Sequence, residues 1–204
     1  MRLRLPRRAR TPVARFDRYV DGAVEKLRGS PLADRLFYGA SALGDYSLIW
    51  LMLGALRGVR SERDWHAGVR VGAAMGLESI LVNGLIKSVV GRTRPAWELD
   101  RPRHLRRPLT SSFPSGHATS SFTSAVLLSD GDPLWPLYYT VACVVAASRV
   151  YVKIHHASDV VAGAALGLLL GHMGRRLAPL PALAGEEGAP GAISTPPSGY
   201  RPQG

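Results

Sequence analysis

The chain has 204 residues, enough for one domain with a sizeable core. A formal net charge of +11 predicts anionic partners: nucleic acid, an acidic membrane surface or phosphorylated substrates. The one cysteine, Cys143, lies in an apolar run, which excludes a disulfide framework and a cysteine metal site. The mean hydropathy of +0.02 averages very polar ends with strongly apolar middle segments. Nearly all the cations are Arg, and Ala and Gly are abundant, the usage of a GC-rich bacterial coding sequence.

Residues 1–35 form a basic arm. Met1 to Arg10 carries charge but no apolar core, which argues against a cleaved signal peptide. Phe16, Tyr19, Val20, Val24 and Leu27 recur at helical spacing with charges between them. They predict an amphipathic helix at the membrane interface, its Arg residues facing anionic lipid heads. A solvated basic arm is the plainer alternative. Nucleic acid is not expected as a partner, because neither a recognition helix nor an aromatic stacking platform accompanies the charge.

Five apolar segments follow, near 36–56, 67–87, 117–130, 134–153 and 158–174. Leu36 to Leu56, as one helix, would span about 30 Å, enough for a bilayer core. The third segment is short and rich in Ser and Thr, so it fits only inside a bundle where neighbouring helices bond its hydroxyls. The backbone must be helical in lipid because no water satisfies it there. The predicted fold is therefore all-α: a polytopic membrane bundle of about five transmembrane helices plus the N-terminal interfacial helix. A soluble bundle is the alternative. The predicted division is a membrane-embedded domain over 36–177, and the Pro- and Gly-rich residues 178–204 read as a disordered tail.

Three polar constellations sit at the ends of the apolar segments. Lys87 closes the second, and Arg94-Pro95 follows, a point charge and a guanidinium fork suited to a phosphoryl group. Both are also ordinary interfacial cations at the end of a span. Pro114-Ser115-Gly116-His117 opens the third segment, where helix-start amides, the Ser115 hydroxyl and a close approach at Gly116 make an anion site. His117 would stand beside the anion as a proton donor. A Ser-capped helix start with an incidental His has the same sequence. Arg149 lies near the end of the fourth segment, with His155 and Asp159 four residues apart beyond it. In a helix these two share a face, so the carboxylate can fix the imidazole tautomer and leave the other nitrogen free to attack. Asp159 as a plain helix cap is the alternative, and His156 beside His155 leaves the choice of histidine open.

The set resembles the type-2 phosphatidic acid phosphatase superfamily. It carries that family's K-x6-R-P, P-S-G-H and S-R-x5-H-x3-D pattern as Lys87 through Arg94-Pro95, Pro114 through His117, and Ser148-Arg149 through His155 and Asp159. The resemblance covers roughly residues 36–175. It implies a phosphatase in which His155 is the nucleophile, Asp159 orients it and His117 is the general acid. It further implies that Lys87, Arg94, Ser115, Gly116 and Arg149 bind the phosphoryl oxygens, with no metal and no cofactor. The partners it implies are a lipid phosphate substrate and anionic membrane lipids.

The loops after the second and fourth segments hold the motifs, so they share one side of the membrane. With five spans the basic arm joins them. Its Arg cluster and Arg101, Arg103, Arg106 and Arg107 then predict a cytoplasm-facing site in a bacterial cell membrane. The opposite loops carry chiefly Arg57, Arg60, Arg63, Arg175 and Arg176. The commoner family layout has six spans and an outward site. The resemblance to short actinobacterial members ranks polyprenyl-linked phosphates first, such as decaprenylphosphoryl-5-phosphoribose, a cell-wall precursor. Phosphatidate, phosphatidylglycerol phosphate and undecaprenyl pyrophosphate are the alternatives. A vanadate-dependent haloperoxidase and a non-catalytic lipid-phosphate binder or transporter are more distant readings. Trp97 and His104 could select a headgroup or belong to a solvated loop. Glu78 and Asn83, inside the second segment, are expected to bond another helix, with substrate contact as the alternative.

Overall fold

A computed structural model describes residues 11–96 and 110–182, which are helical with no strand among them. Trp97, His104, the Arg-rich loop and the tail from residue 183 lie outside the described residues, as does the Met1 to Arg10 segment.

Helix α1 runs from Pro12 to Glu25, beginning earlier than the apolar pattern, because Thr11 caps it (Oγ1 accepts from Ala14 N, 3.1 Å) and Pro12 needs no hydrogen bond at its nitrogen. Phe16 and Tyr19 remain exposed. The helix is fastened inward by a residue that the apolar pattern does not include. Asp17 is buried and accepts from Ser158 N (2.8 Å), Ser158 Oγ (3.0 Å) and Arg92 Nη2 (2.7 Å).

The expected single helix over 36–56 is broken. Helix α2 (Pro31–Leu43) and helix α3 (Leu48–Gly58) meet at 68° across a short 3-10 turn, Asp45–Ser47. Tyr46 and Ser47 take left-handed φ values of 55° and 57°, which no continuous α-helix allows. Gly44 is packed so closely that a Cβ there would lie 2.8 Å from His117 Cδ2 and 2.9 Å from Val145 Cγ1. The chain turns where its backbone meets His117, at the polar Asp45 and Ser47 within the apolar segment.

Helix α4 (Glu62–Ser79) starts at a Ser61 cap and continues through a π turn, Ile80–Ile86, into α5 (Lys87–Val89), making one rod of 28 residues. Helices α6 (Gly116–Leu128), α7 (Trp135–Tyr151) and α8 (Ala157–Leu177) complete the bundle. By length and apolarity the α4–α5 rod and α8 can each cross a membrane, and the bent α2–α3 pair is a third candidate. The five expected segments are all helical, but α6 is only 13 residues, about 20 Å, too short for a lipid-facing span. Exposed apolar side chains such as Leu51, Leu77, Ile80, Val161 and Leu169 lie on the long outer helices.

Helix α6 is the centre, with ten of its 13 residues buried. Its hydroxyls are used between helices, as expected: Thr123 Oγ1 donates to Gly167 O (3.2 Å) and Ser121 Oγ accepts from Trp50 Nε1 (3.2 Å). Helix α8 meets it along a glycine row. A Cβ would come within 2.5 Å of Ser115 O at Gly163, 2.4 Å of Thr119 O at Gly167 and 2.6 Å of Val126 Cβ at Gly171. At the far end Arg57, Arg70 and Arg175 donate to the carbonyls of Leu128, Leu127 and Val126, the final acceptors of α6.

Gly167→Ala should gain about 1 kcal/mol of helix propensity. The backbone oxygen at 2.4 Å cannot rotate away, however, so net destabilisation of about 1–3 kcal/mol is expected from overpacking. Thermal unfolding in detergent measures it; an unchanged or raised midpoint would contradict the close contact.

Candidate active site

Lys87 and Arg94 do not share a helix. The rod ends at Val89, Val90 is extended, and residues 90–94 pair with 111–112 through Ser112 N to Arg92 O (3.0 Å) and Arg92 N to Ser111 Oγ (3.1 Å). This hairpin-like return carries Arg94 over the nucleophile position. Its guanidinium donates to Thr110 O (3.1 Å), Ser111 O (3.1 Å) and Ile154 O (3.0 Å), and Nη1 lies 3.3 Å from His155 Nε2. Lys87 Nζ reaches back one turn to Asn83 Oδ1 (2.7 Å). Arg149, 2% exposed, donates from Nη1 to Ser41 Oγ. Its Nε is buried with no hydrogen-bond partner among the described residues.

Lys153, at φ 52°, closes a turn after α7 in which Ile154 N and His155 N both donate to Arg149 O (3.2 and 3.1 Å). His155 is thereby folded back beneath Arg149. Its Nδ1–H donates to Ser112 O (2.7 Å), so the lone pair is on Nε2, on the Arg94 side. The expected direct hydrogen bond to Asp159 is absent. At 3.7 Å the carboxylate acts on His155 as a nearby charge, because the Ser112 carbonyl already takes the Nδ1 proton. Asp159 instead accepts from His156 N (2.9 Å) and from Arg92 Nη1, within a capping box at the start of α8. Burial pushes the His155 imidazole down to about 3; Arg149 and Arg94 act in the same direction and Asp159 against it. His156 turns aside and donates from Nε2 to Thr93 O (3.3 Å).

At the head of α6, Ser115 is fully buried, its N donates to Asp159 O (3.0 Å) and its Oγ caps Ala118 N (3.4 Å). Gly116 is in ordinary helical conformation, and a Cβ there would sit 3.5 Å from Lys87 Nζ, so sterics do not demand glycine. His117 Nε2–H donates to Asp45 Oδ1 (2.9 Å).

A cavity of about 810 Å³ gathers Lys87, Arg94, Gly116, His117, Arg149 and His155 on one wall system. Ser115 and Asp159 stand behind it rather than on it. Sequence reasoning missed Asp45 on His117, the Ser112 carbonyl on His155, Ser41 on Arg149, and the Asp159–Arg92–Asp17 chain that ties α1 to the site. Asp45 carried a signal, since it is an ionisable residue inside an apolar segment. The others depend on tertiary contacts between groups distant in sequence. No group of three or more His, Cys, Asp or Glu side chains among the described residues could hold a metal ion.

The arrangement presents a neutral imidazole lone pair, three convergent cations and a second imidazole held by a carboxylate. That is what in-line transfer of a phosphoryl group to nitrogen requires.

The PAP2 superfamily model matches residues 67–179. The decaprenylphosphoryl-5-phosphoribose phosphatase of Mycobacterium tuberculosis is 35% identical over 144 residues, covering 65% of this chain and 73% of that protein. The fold is similar to the transmembrane PAP2-type phosphatidylglycerolphosphate phosphatase of Bacillus subtilis, with TM-score 0.60 at 24% identity over 83% of this chain and 88% of that one. It is likewise similar to LpxE of Aquifex aeolicus, with TM-score 0.60 at 28% identity over 78% of this chain and 93% of that one. With its membrane-crossing helices, the chain is a membrane protein.

A nitrogen-15 NMR titration of the imidazoles should show His155 neutral, protonated on Nδ1, from pH 8 down to about pH 5, since its proton affinity is depressed to about 3. An inflection for His155 between pH 5.5 and 7 would contradict the burial argument.

Proposed function

The chain belongs to the PAP2 superfamily, and from that premise we propose a phosphatase of membrane lipid phosphates that works through a phosphohistidine. The observation that carries this reading is the His155 Nε2 lone pair, fixed by the Ser112 carbonyl and facing the same cavity as Arg94, Arg149, Lys87 and His117.

In the proposed reaction Nε2 of His155 attacks phosphorus and the bond to the leaving oxygen breaks. His117 gives its proton to that oxygen, its ring held in place by Asp45. Water then attacks the phosphohistidine, with His117 taking the proton, and inorganic phosphate leaves. Lys87, Arg94 and Arg149 hold the equatorial oxygens, and the Arg149 Nε donor is the best placed to gain a partner. Ser115 and Gly116 contribute the amide end of α6. Asp159 acts one step back, through the start of α8 and Arg92.

Polyprenyl-linked phosphates are the preferred substrate class, supported by the name of the mycobacterial relative. The domain division assigns 1–35 to an interfacial arm and 36–177 to the catalytic bundle, with 178–204 as a tail. The site faces the cytoplasm of a bacterial cell membrane, supported by the Arg-rich arm and loop on the motif-bearing side.

Phosphate release by the purified protein across phosphatidate, phosphatidylglycerol phosphate and a polyprenyl phosphoribose should fall by at least ~10³-fold in His155→Ala, the scale of losing a nucleophile; release equal to wild type would remove His155 from the role. For topology, single cysteines placed in the 98–110 loop of a Cys143→Ala protein should resist a membrane-impermeant maleimide in intact cells and label after permeabilisation. Labelling in intact cells would place the site outside.

A further inference from the structure

Glu78 is the one acidic side chain of the α4–α5 rod that lines the catalytic cavity, and it is only 6% exposed. Its Oε1 is buried with no hydrogen-bond partner among the described residues. The inter-helix bond expected from the sequence is therefore not made by that atom. A buried carboxylate oxygen without a donor is costly, so its place in a cavity wall indicates a donor supplied from the cavity.

The surroundings indicate which donor. Ser79 and Asn83 share the wall with Glu78, and Asn83 spans between them and the phosphate site: its Oδ1 accepts from Lys87 Nζ (2.7 Å) and its Nδ2 donates to Ser79 Oγ (3.3 Å). Lys87 reaches back to the level of Asn83, which leaves five residues, about 7–8 Å along the axis, between that level and Glu78. A phosphate held at Lys87 thus has its leaving group alongside Glu78. That span fits one sugar ring. A glycerol diester offers only ester oxygens there, which are acceptors and would leave the carboxylate unpaired.

We propose that Glu78 is the specificity residue of this cavity, accepting hydrogen bonds from hydroxyls of the leaving group, so that the enzyme prefers a phosphomonoester on a sugar or other polyol over phosphatidate. This rests on the phosphatase reading above and deepens it. The π turn at Ile80–Ile86 lies between the two halves of the wall and sets how Glu78 and Lys87 face one cavity.

The test is a ratio, so variants with reduced overall activity still report. Full-length protein in detergent micelles is given decaprenylphosphoryl-5-phosphoribose, its 2,3-dideoxy analogue and dioleoyl phosphatidate, and phosphate release is measured. Wild type should favour the ribose lipid over the dideoxy analogue in kcat/KM by roughly tenfold to a hundredfold, the worth of a hydrogen bond to a charged group. Glu78→Gln and Glu78→Ala should each collapse that ratio to within about threefold, as a coupled pair requires. A ratio that survives both variants, or a wild type that does not discriminate, overturns the proposal while leaving the phosphatase intact. Turnover of phosphatidate but not the ribose lipid does the same. Release from none of the three lipids overturns the phosphatase reading as well.

Discussion

Three cations brought to one cavity repel one another, and the active end of this molecule is organised around holding them there. Lys87 is oriented by the Asn83 amide oxygen, Arg94 by the carbonyls of Thr110, Ser111 and Ile154, and Arg149 by the Ser41 hydroxyl. Neutral acceptors fix direction without cancelling charge, so the positive field is kept for an incoming anion. Two carboxylates are placed at the imidazoles instead, Asp45 on His117 and Asp159 behind His155. Burial keeps His155 neutral in this field, which is the form that can attack.

The scaffold that holds this charge is close-packed at its middle and apolar on its outside. The contact of α6 with the glycine row of α8 brings Ser115 next to Asp159, so the start of α6 and the support of the proposed nucleophile are one packing unit. Helix α1 is bound into the same unit through Asp17, Ser158 and Arg92. Helix α1 is thus a brace for the turn that carries His155.

Much of this was legible in the sequence because the motif residues differ in kind from their surroundings. Lys87, Arg94, His117, Arg149 and His155 interrupt apolar or turn-forming stretches, and the structure brings all five to one cavity. The helical bundle followed from the five apolar segments. The break at Gly44–Ser47 did not, although Gly44, Asp45 and Ser47 are turn-forming residues within the first segment; the left-handed φ values of Tyr46 and Ser47 make the turn. The partner of His155 Nδ1 was misassigned because four-residue spacing favours Asp159 only in a continuous helix. The extended cap residue His156, just before α8, removes that continuity, and the Ser112 carbonyl takes the Nδ1 proton. Glu78 was flagged by its cost in an apolar segment, but sequence could not tell whether a neighbouring helix met its need.

Helix α6 has its amide end at the phosphate site and its carbonyl end gripped by Arg57, Arg70 and Arg175, with Arg57 in turn held by Asp64 (2.6 Å) and Arg70 by Asp130 (2.8 Å). A rod clamped at its tail cannot slide lengthwise or screw about its axis without breaking several buried charged contacts at once. The helix start at the cavity therefore has a fixed axial register, set about 20 Å away at the opposite end of α6. In a membrane whose hydrocarbon holds the bundle's apolar exterior, that clamp sets the level at which the start of α6 meets a lipid phosphate.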